Sequence, residues 1–419
     1  MTRVVVIGGG VIGLASAIAL LRDGHAVTII EPGVPGGEQS ASYGNGTLLN
    51  PSSVVPMSAP GLWKKVPGYL ADPLGPLTIR WSYLPWLLPW LRRFAAAGST
   101  AAKVEATGRA LRPLVADCPA LHRKLAEDAG VGDLIVRQGV LFAFPNRAAF
   151  EAEALSWRVR RENGTRWLEL DADELRQREP ALDRRYTFGI LIEENGQCRD
   201  PGAYTAALAR YASDLGAAIE QTGATGFRIE AGRLRAVKTR GGEIACDTAV
   251  IAAGAWSKAL AREAGDRVPL ESERGYHVVI ENPGIAPRYP VMPSDGKMAC
   301  TMTPAGLRLA GQVELAGLEA APNWRRAEAL LQFARKVFPG LPPDTPPETV
   351  KLWMGHRPST PDGLPCLGLA SGCSDVVHAF GHGHVGLAAA VTSGAVVADL
   401  VAGRAPAFDL APYSAARFR

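Results

Sequence analysis

A charge-free run of eighteen residues, Val4 to Leu21, is broken by glycines in the pattern Gly8-x-Gly10-x-x-Gly13. That break constrains the fold more than any other feature of the chain. Val4-Val5-Val6-Ile7 has the β-branched composition of a buried parallel strand. Gly8-Gly9-Gly10 ends it, and Val11 to Leu21 carries small and apolar residues at helical spacing. A second strand, His25 to Ile30, leads into Glu31, eighteen residues after Gly13. Hydropathy alone would also admit a signal-peptide core or a short membrane span. The glycine spacing favours a strand–turn–helix–strand unit instead. In such a unit Gly8 permits the tight turn, Gly10 lets the backbone approach a pyrophosphate, and Gly13 lets the helix pack close to the strand. The amides at the helix start, Val11 and Ile12, receive the phosphate charge. Glu31 accepts hydrogen bonds from a ribose and disfavours a 2′-phosphate. A glycine turn by itself is weak evidence; between two strands and followed by an acid, it points to a dinucleotide.

The next segment bears on which dinucleotide. A nicotinamide-binding unit would continue in short strand–helix repeats, whereas Pro32 to Pro60 is a long Gly/Ser/Pro/Asn stretch with Ser40-Ala-Ser-Tyr-Gly-Asn-Gly46 at its centre. Loops this long inside a compact domain are usually functional. Its hydroxyls and bare amides, with Ser40, Ala41, Ser42, Asn45 and Gly46 foremost, suit the lining of a cofactor.

The rest of the composition excludes more than it specifies. At 419 residues, 47% hydrophobic and 21% charged, the chain is neither disordered nor a multispan membrane protein. A net charge of +4 is too small for a nucleic-acid binder. Six scattered cysteines, with no C-x-x-C, read as reduced thiols of a cytosolic protein. Four of the seven histidines, His356, His378, His382 and His384, fall near the C-terminus. A metal there would need three or four convergent ligands, and a glycine-rich turn before a helix has a simpler explanation, so no metal is expected.

Along the chain, residues 60 to 130 read as helical. They include an aromatic block, Trp81 to Phe94, that suits either a Pro-punctuated core helix or a patch on a membrane surface. Short strands and helices alternate over 133–194. Asp200 and Pro201 open a helix running to Leu215, and four strands between Ala217 and Cys246 have the turns of a β-meander. Ala249 to Ser257 repeats the opening architecture, an apolar strand ending at Gly254. More strands follow to Gly311, then a helix over Trp324–Phe338 and a last strand–helix unit. The expected fold is a two-domain α/β (α+β) arrangement. A Rossmann-type domain with a parallel sheet and β-meander (1–52, 196–267, 351–419) interleaves with an antiparallel-sheet substrate domain (53–195, 268–350).

This arrangement resembles the D-amino-acid oxidase/dehydrogenase superfamily of FAD-dependent amine oxidoreductases, in particular its bacterial D-amino-acid dehydrogenase and glycine-oxidase branch. The resemblance spans the chain and is most specific in Trp353-Met-Gly-His-Arg357-Pro-Ser-Thr-Pro-Asp-Gly-Leu-Pro-Cys-Leu-Gly368 and Gly381-His-Gly-His-Val-Gly386. It implies that Arg357 holds the substrate carboxylate, a role that suits a planar guanidinium fork. It implies that Gly383, His384, Val385, Gly386 and Leu387 face the flavin pyrimidine and stabilise its negative charge. It also assigns Ala224, Ala253, Gly254 and Trp256 to the cofactor. Glycine oxidases carry an arginine where this chain has His384, which disfavours a glycine-like substrate and leaves His384 to meet a larger one. Tyr276 and His277 lie on a strand whose alternation turns them to opposite faces. One of them should line the pocket, with Tyr276 slightly favoured. The early loop has no histidine or cysteine for covalent attachment, so FAD is expected to be noncovalent.

The implied reaction is FAD-dependent oxidation of the Cα–N bond of a D-amino acid or cyclic secondary amino acid, such as a D-proline or hydroxyproline type, with hydride passing from Cα to flavin N5. Two alternatives stay open: an N-methyl amino-acid (sarcosine- or glycine-type) oxidase, and a noncatalytic FAD-binding accessory subunit. The electron acceptor is oxygen, a quinone or a partner subunit. The expected location is cytoplasmic, with peripheral contact to the inner membrane through 81–94 as the further option.

Overall fold

The computed structural model describes residues 1–72 and 75–419; residues 73 and 74, within the stretch expected to be helical, lie outside the described residues. Two large sheets organise the molecule. The first has six strands in the order 218–220, 26–30, 3–7, 248–251, 376–380, 366–369. Its neighbours are parallel except at the last pair, Cys366–Leu369 against Val376–Phe380. Strands from the start, middle and end of the sequence therefore share one sheet, which requires crossover connections such as the helix Val11–Arg22.

Val11–Arg22 and the C-terminal helix Gly386–Val401 pack directly on each other. Gly394 allows the approach, since a Cβ there would lie 2.6 Å from the Ala15 carbonyl oxygen. Gly383–Val401 is apolar enough and long enough to cross a membrane. Its buried residues, among them Leu387, Ala389 and Val397, instead belong to the core shared with Leu14, Ile18 and Ile29. The charge-free N-terminal run forms the strand Arg3–Ile7 and this helix, as the glycine spacing requires. The β-meander has three strands rather than the four expected, Ala224–Glu230, Arg233–Thr239 and Gly242–Ala245, because the first, Ala218–Glu220, pairs parallel with Ala26–Ile30 at the edge of the first sheet.

The second sheet has nine strands and is mostly antiparallel. At one end Val350–Ser359 pairs with Glu271–Ile280, which pairs with Gly306–Leu315, which pairs with Met298–Thr303. The helix Arg325–Val337 covers one face, and its Ala327, Leu330 and Ala334 join Tyr276, Val278 and Leu309 in a core. The opposite face looks toward the loop Ser40–Gly46: a Cβ on Gly46 would meet the side chains of Ala310 and Ala299. The two sheets thus enclose the long loop between them.

Candidate active site

The nucleotide end of the site is made of backbone. Gly8 has φ +117°, and a Cβ on it would lie 2.4 Å from the Ala252 carbonyl oxygen. At Gly13 a Cβ would sit 1.9 Å from the Gly8 carbonyl, so only glycine lets the helix start this close to the strand. Gly10 differs: the nearest atoms to its missing Cβ are the Ser42 and Ser40 hydroxyls, at 3.4 and 3.7 Å. It therefore fronts a cradle rather than a packed interface. Val11 N donates to Ser42 Oγ at 3.0 Å, and Ser42 N donates to Ser40 Oγ at 3.1 Å. The Glu31 carboxylate accepts from Gly9 N at 2.8 Å and Gly33 N at 3.0 Å, which fixes its position at the mouth of the turn.

The loop around Ser40–Gly46 is braced by side chains on the second sheet. Arg308 donates to the carbonyls of Asn45 (3.0 Å) and Tyr43 (3.3 Å). Asn45 Oδ1 accepts from Thr47 N, itself in the left-handed region at φ +70°. Trp353 lies across Gly44, where a Cβ would clash at 1.9 Å, and donates Nε1 to the Glu38 carbonyl at 2.8 Å. His277 stacks on Trp353 with centroids 4.9 Å apart, and its Nδ1 lies 3.3 Å from the Gly44 carbonyl oxygen.

Period-2 alternation along Glu271–Ile280 separates two sets of side chains. Arg274 and Tyr276 point away from the loop. Arg274 Nε donates to the Gly317 carbonyl, and the Tyr276 hydroxyl bonds Glu314 and accepts from Asn323 N. Tyr276 is 1% exposed and packs in the core beneath the sheet. Between the two residues set apart by alternation, it is His277 that faces the loop. Glu273, Gly275 and His277 share that face with their register partners Arg357, Gly355 and Trp353.

Arg357 lies flat across Gly275, where a Cβ would fall 2.2 Å from its Cζ. Its guanidinium donates to the carbonyls of Gln312 (2.9 Å) and Gly311 (3.3 Å). Gln312 is held at φ +62° at the register shift between the two strands, a conformation that costs a non-glycine residue energy and aims its carbonyl at the guanidinium. Among the described residues Arg357 makes no ion pair. Burial lowers its pKa, and the nearby Glu273 charge opposes that shift. Glu273 Oε2 accepts from Ser359 Oγ (2.8 Å) and lies 2.9 Å from His384 Nε2. Burial would raise the Glu273 pKa, but the contacts with His384, Ser359 and Arg357 hold it below the ordinary value.

The remaining expected residues sit around this centre. Gly383–Val385 forms a short 3-10 turn leading into Gly386–Val401, with Leu387 buried and the His384 side chain 35% exposed. Ala253 and Ala224 are half-buried against the core around Ile7, Ile30 and Ile251. Gly254 has φ +54° with open space beside it, and Trp256 is 51% exposed with its ring edge toward His356. The four C-terminal histidines go to four different partners. His356 bonds Ser272 Oγ, His378 bonds Asp266, His382 bonds Ser393 Oγ and His384 bonds Glu273.

The arrangement fits a flavin dinucleotide. The amides of Gly10, Ile12 and Gly13 have no acceptor among the described residues. Arg308 Nε and Thr301 Oγ1, opposite each other on the face toward the loop, are buried and unpartnered, as is Gln312 Oε1. Buried polar atoms of this kind ordinarily have partners. A pyrophosphate, a ribose and a polar ring system would supply them. Three of the residues that build this centre, Glu273, Gly275 and Arg308, are not singled out by motif reading. For Glu273 and Gly275 the signal was the period of two leading back from His277.

The pattern of the FAD dependent oxidoreductase family matches residues 3–400. The chain is 57% identical to a D-amino-acid oxidase of Bradyrhizobium diazoefficiens over 416 residues, 99% of each chain. It is 32% identical to a D-amino acid dehydrogenase of Paramagnetospirillum magneticum, covering 97% of both. The glycine oxidase structure from Geobacillus kaustophilus superposes with a TM-score of 0.74 at 25% identity, over 99% of this chain and 98% of that one.

Proposed function

The chain belongs to the family of FAD-dependent oxidoreductases, and from that premise we propose that it oxidises the Cα–N bond of a D-amino acid, taking the substrate by its carboxylate at Arg357. The observation that carries the reading is the state of that guanidinium. It is held by the Gln312 and Gly311 carbonyls and meets no carboxylate within the described residues. A half-buried guanidinium with no carboxylate in contact has donors to spare, and a planar carboxylate satisfies it at two points.

Bound FAD supplies the two-electron acceptor. The chain's own residues hold it and orient the substrate. The Gly8–Gly13 turn and the first amides of the helix take the pyrophosphate, and Glu31 takes a ribose. The Ser40–Gly46 loop, braced by Arg308 and Trp353, and the Gly383–Leu387 turn close around the ring system. Gly275 lets Arg357 lie flat, so the carboxylate has a fixed direction and Cα a fixed place. FAD would be held without a covalent link, since the loop from Pro32 to Pro60 offers no histidine or cysteine.

Anaerobic titration with matched D- and L-amino acids tests the reading. The flavin absorbance should bleach with D-amino acids at concentrations where the L-forms leave it unchanged. A protein whose flavin no amino acid reduces is a binding subunit, not this enzyme. Re-admitting air to one sample and a quinone to another identifies the acceptor.

A surface feature supports peripheral membrane contact. Trp81 (67% exposed), Trp86 (72%) and Leu88 stand out beside exposed Arg80, Arg92 and Arg93, while Leu87 and Trp90 anchor the same helix, Leu84–Ala97, to the protein. Aromatic rings flanked by arginines suit an anionic lipid surface. Flotation with vesicles rich in an anionic lipid should carry the protein upward, and replacing Trp81 and Trp86 with Ala should abolish it.

A further inference from the structure

We propose that Glu273 reads the substrate's ammonium group, so that Glu273 and Arg357 grip the two ends of one zwitterion across a single pair of strands. The proposal rests on the amino-acid reading above and deepens it. The two residues are direct register partners between Glu271–Ile280 and Val350–Ser359, and so share one face. Side chains so placed have Cβ atoms roughly 4.5–5.5 Å apart, close enough for an acid and a base to pair directly. They do not. Arg357 tips over Gly275 toward the Gly311 and Gln312 carbonyls. Glu273 tips the other way, and its Oε2 accepts from Ser359 Oγ and meets His384 Nε2.

Each charge is thereby held off the other by contacts of its own. Oε1 of Glu273 makes no hydrogen bond among the described residues, although the residue is only 5% exposed. A cation and an anion fixed side by side, each with capacity to spare, form a dipole. An α-amino acid carries the opposite dipole on one carbon: carboxylate toward Arg357, ammonium toward Glu273. The groups around the acid favour its ionised form, which is the form that accepts from an ammonium. The charged or titratable neighbours facing it are His384 from the turn before the last helix and Arg357 from the next strand. Glu273 is in this sense a substrate-positioning residue. It fixes the nitrogen as Arg357 fixes the carboxylate, and two fixed points on Cα set the direction of the bond to be oxidised.

The test is the Glu273→Gln holoenzyme, compared with wild type on two ligands. One is the D-amino acid that reduces the wild-type flavin fastest, its Kd taken from saturation of anaerobic flavin reduction. The other is the same acid without its amino group, its Kd taken by calorimetry with no turnover involved. The amino acid should bind about 10- to 100-fold more weakly, the loss expected for one charged hydrogen bond. The deamino carboxylate should bind as well as before or better, because a negative charge beside Arg357 has been removed. Opposite behaviour of the two ligands is what a merely structural role would not produce. Equal weakening of both, or no change in either, overturns the proposal. If the Gln protein fails to retain FAD, Glu273→Asp, which keeps the charge but draws the carboxylate back, should weaken the amino acid and leave the deamino carboxylate unchanged; equal changes in both overturn the proposal. A wild type reduced by no amino acid would show the failure of the underlying reading before any variant is made.

Discussion

The nucleotide end and the substrate end of this site are built in opposite ways. The first comes from one stretch of chain, Gly8 to Glu31, and its chemistry belongs to backbone amides and the absence of side chains. The second is assembled from Glu273, Arg357 and His384, whose geometry depends on strand register and on carbonyls at Gly311 and Gln312. Backbone sites are tolerant of everything except bulk. Side-chain sites depend on what lies beneath and beside them. Substitutions at the two ends should therefore fail in different ways.

The largest effect is expected where a glycine is structural rather than functional. Gly13→Val places a side chain into the Gly8 carbonyl and should prevent folding, read as insoluble expression or loss of a cooperative thermal transition. Gly10→Val should fold, because only two serine hydroxyls lie near its Cβ, yet purify without flavin. If the Gly10 variant retains a full complement of FAD, the cradle is not where the pyrophosphate binds.

Next comes Gly275→Ala, at the substrate end. The added methyl would displace Arg357 from its flat position while leaving the nucleotide end untouched. FAD content should be normal and kcat/KM for a D-amino acid should fall by about 10²-fold, the order expected for a displacement of roughly 1 Å. Unchanged turnover would mean the guanidinium is not held where it acts.

Acid should weaken both ends together. Burial pushes His277 and His382 down to about 3, and His122 down to about 4. These rings are neutral in the folded protein but take a proton at about 6.5 when unfolded. Stability from each is therefore complete above about 6.5 and declines as pH falls toward the folded values, by roughly 1.4 kcal/mol per unit and histidine. A thermal midpoint that does not fall between pH 7.5 and pH 5 would contradict this. The smallest effect is expected from Glu31→Ala. It should weaken FAD by about 1.5–3 kcal/mol, the scale of one charged hydrogen bond, with kcat unchanged at saturating cofactor.

The same contrast explains what could be read from the sequence. Gly8, Gly10, Gly13 and Glu31 were legible because a single strand–turn–helix–strand unit needs no tertiary information. Arg357 was legible through the residues around it. Tyr276 and His277 show the limit: alternation separates them, but only the packing of Arg325–Val337 decides which face is core, and it is Tyr276 that is buried there. Glu273 was hidden for a related reason. Its neighbours in the site come from residues 84 to 111 positions away, and no local pattern encodes the register that brings them together.

Stopped-flow flavin reduction of wild type and Arg357→Lys decides whether Arg357 takes a substrate carboxylate. The substrates are a D-amino acid and the corresponding amine without its carboxylate. Lysine keeps the charge but loses the planar two-point grip. Arg357→Lys should lower kcat/KM for the amino acid by about 10²-fold, keep a normal flavin spectrum, and differ little from wild type with the amine. Equal losses with both substrates would make Arg357 a structural residue and remove the ground for an amino-acid substrate.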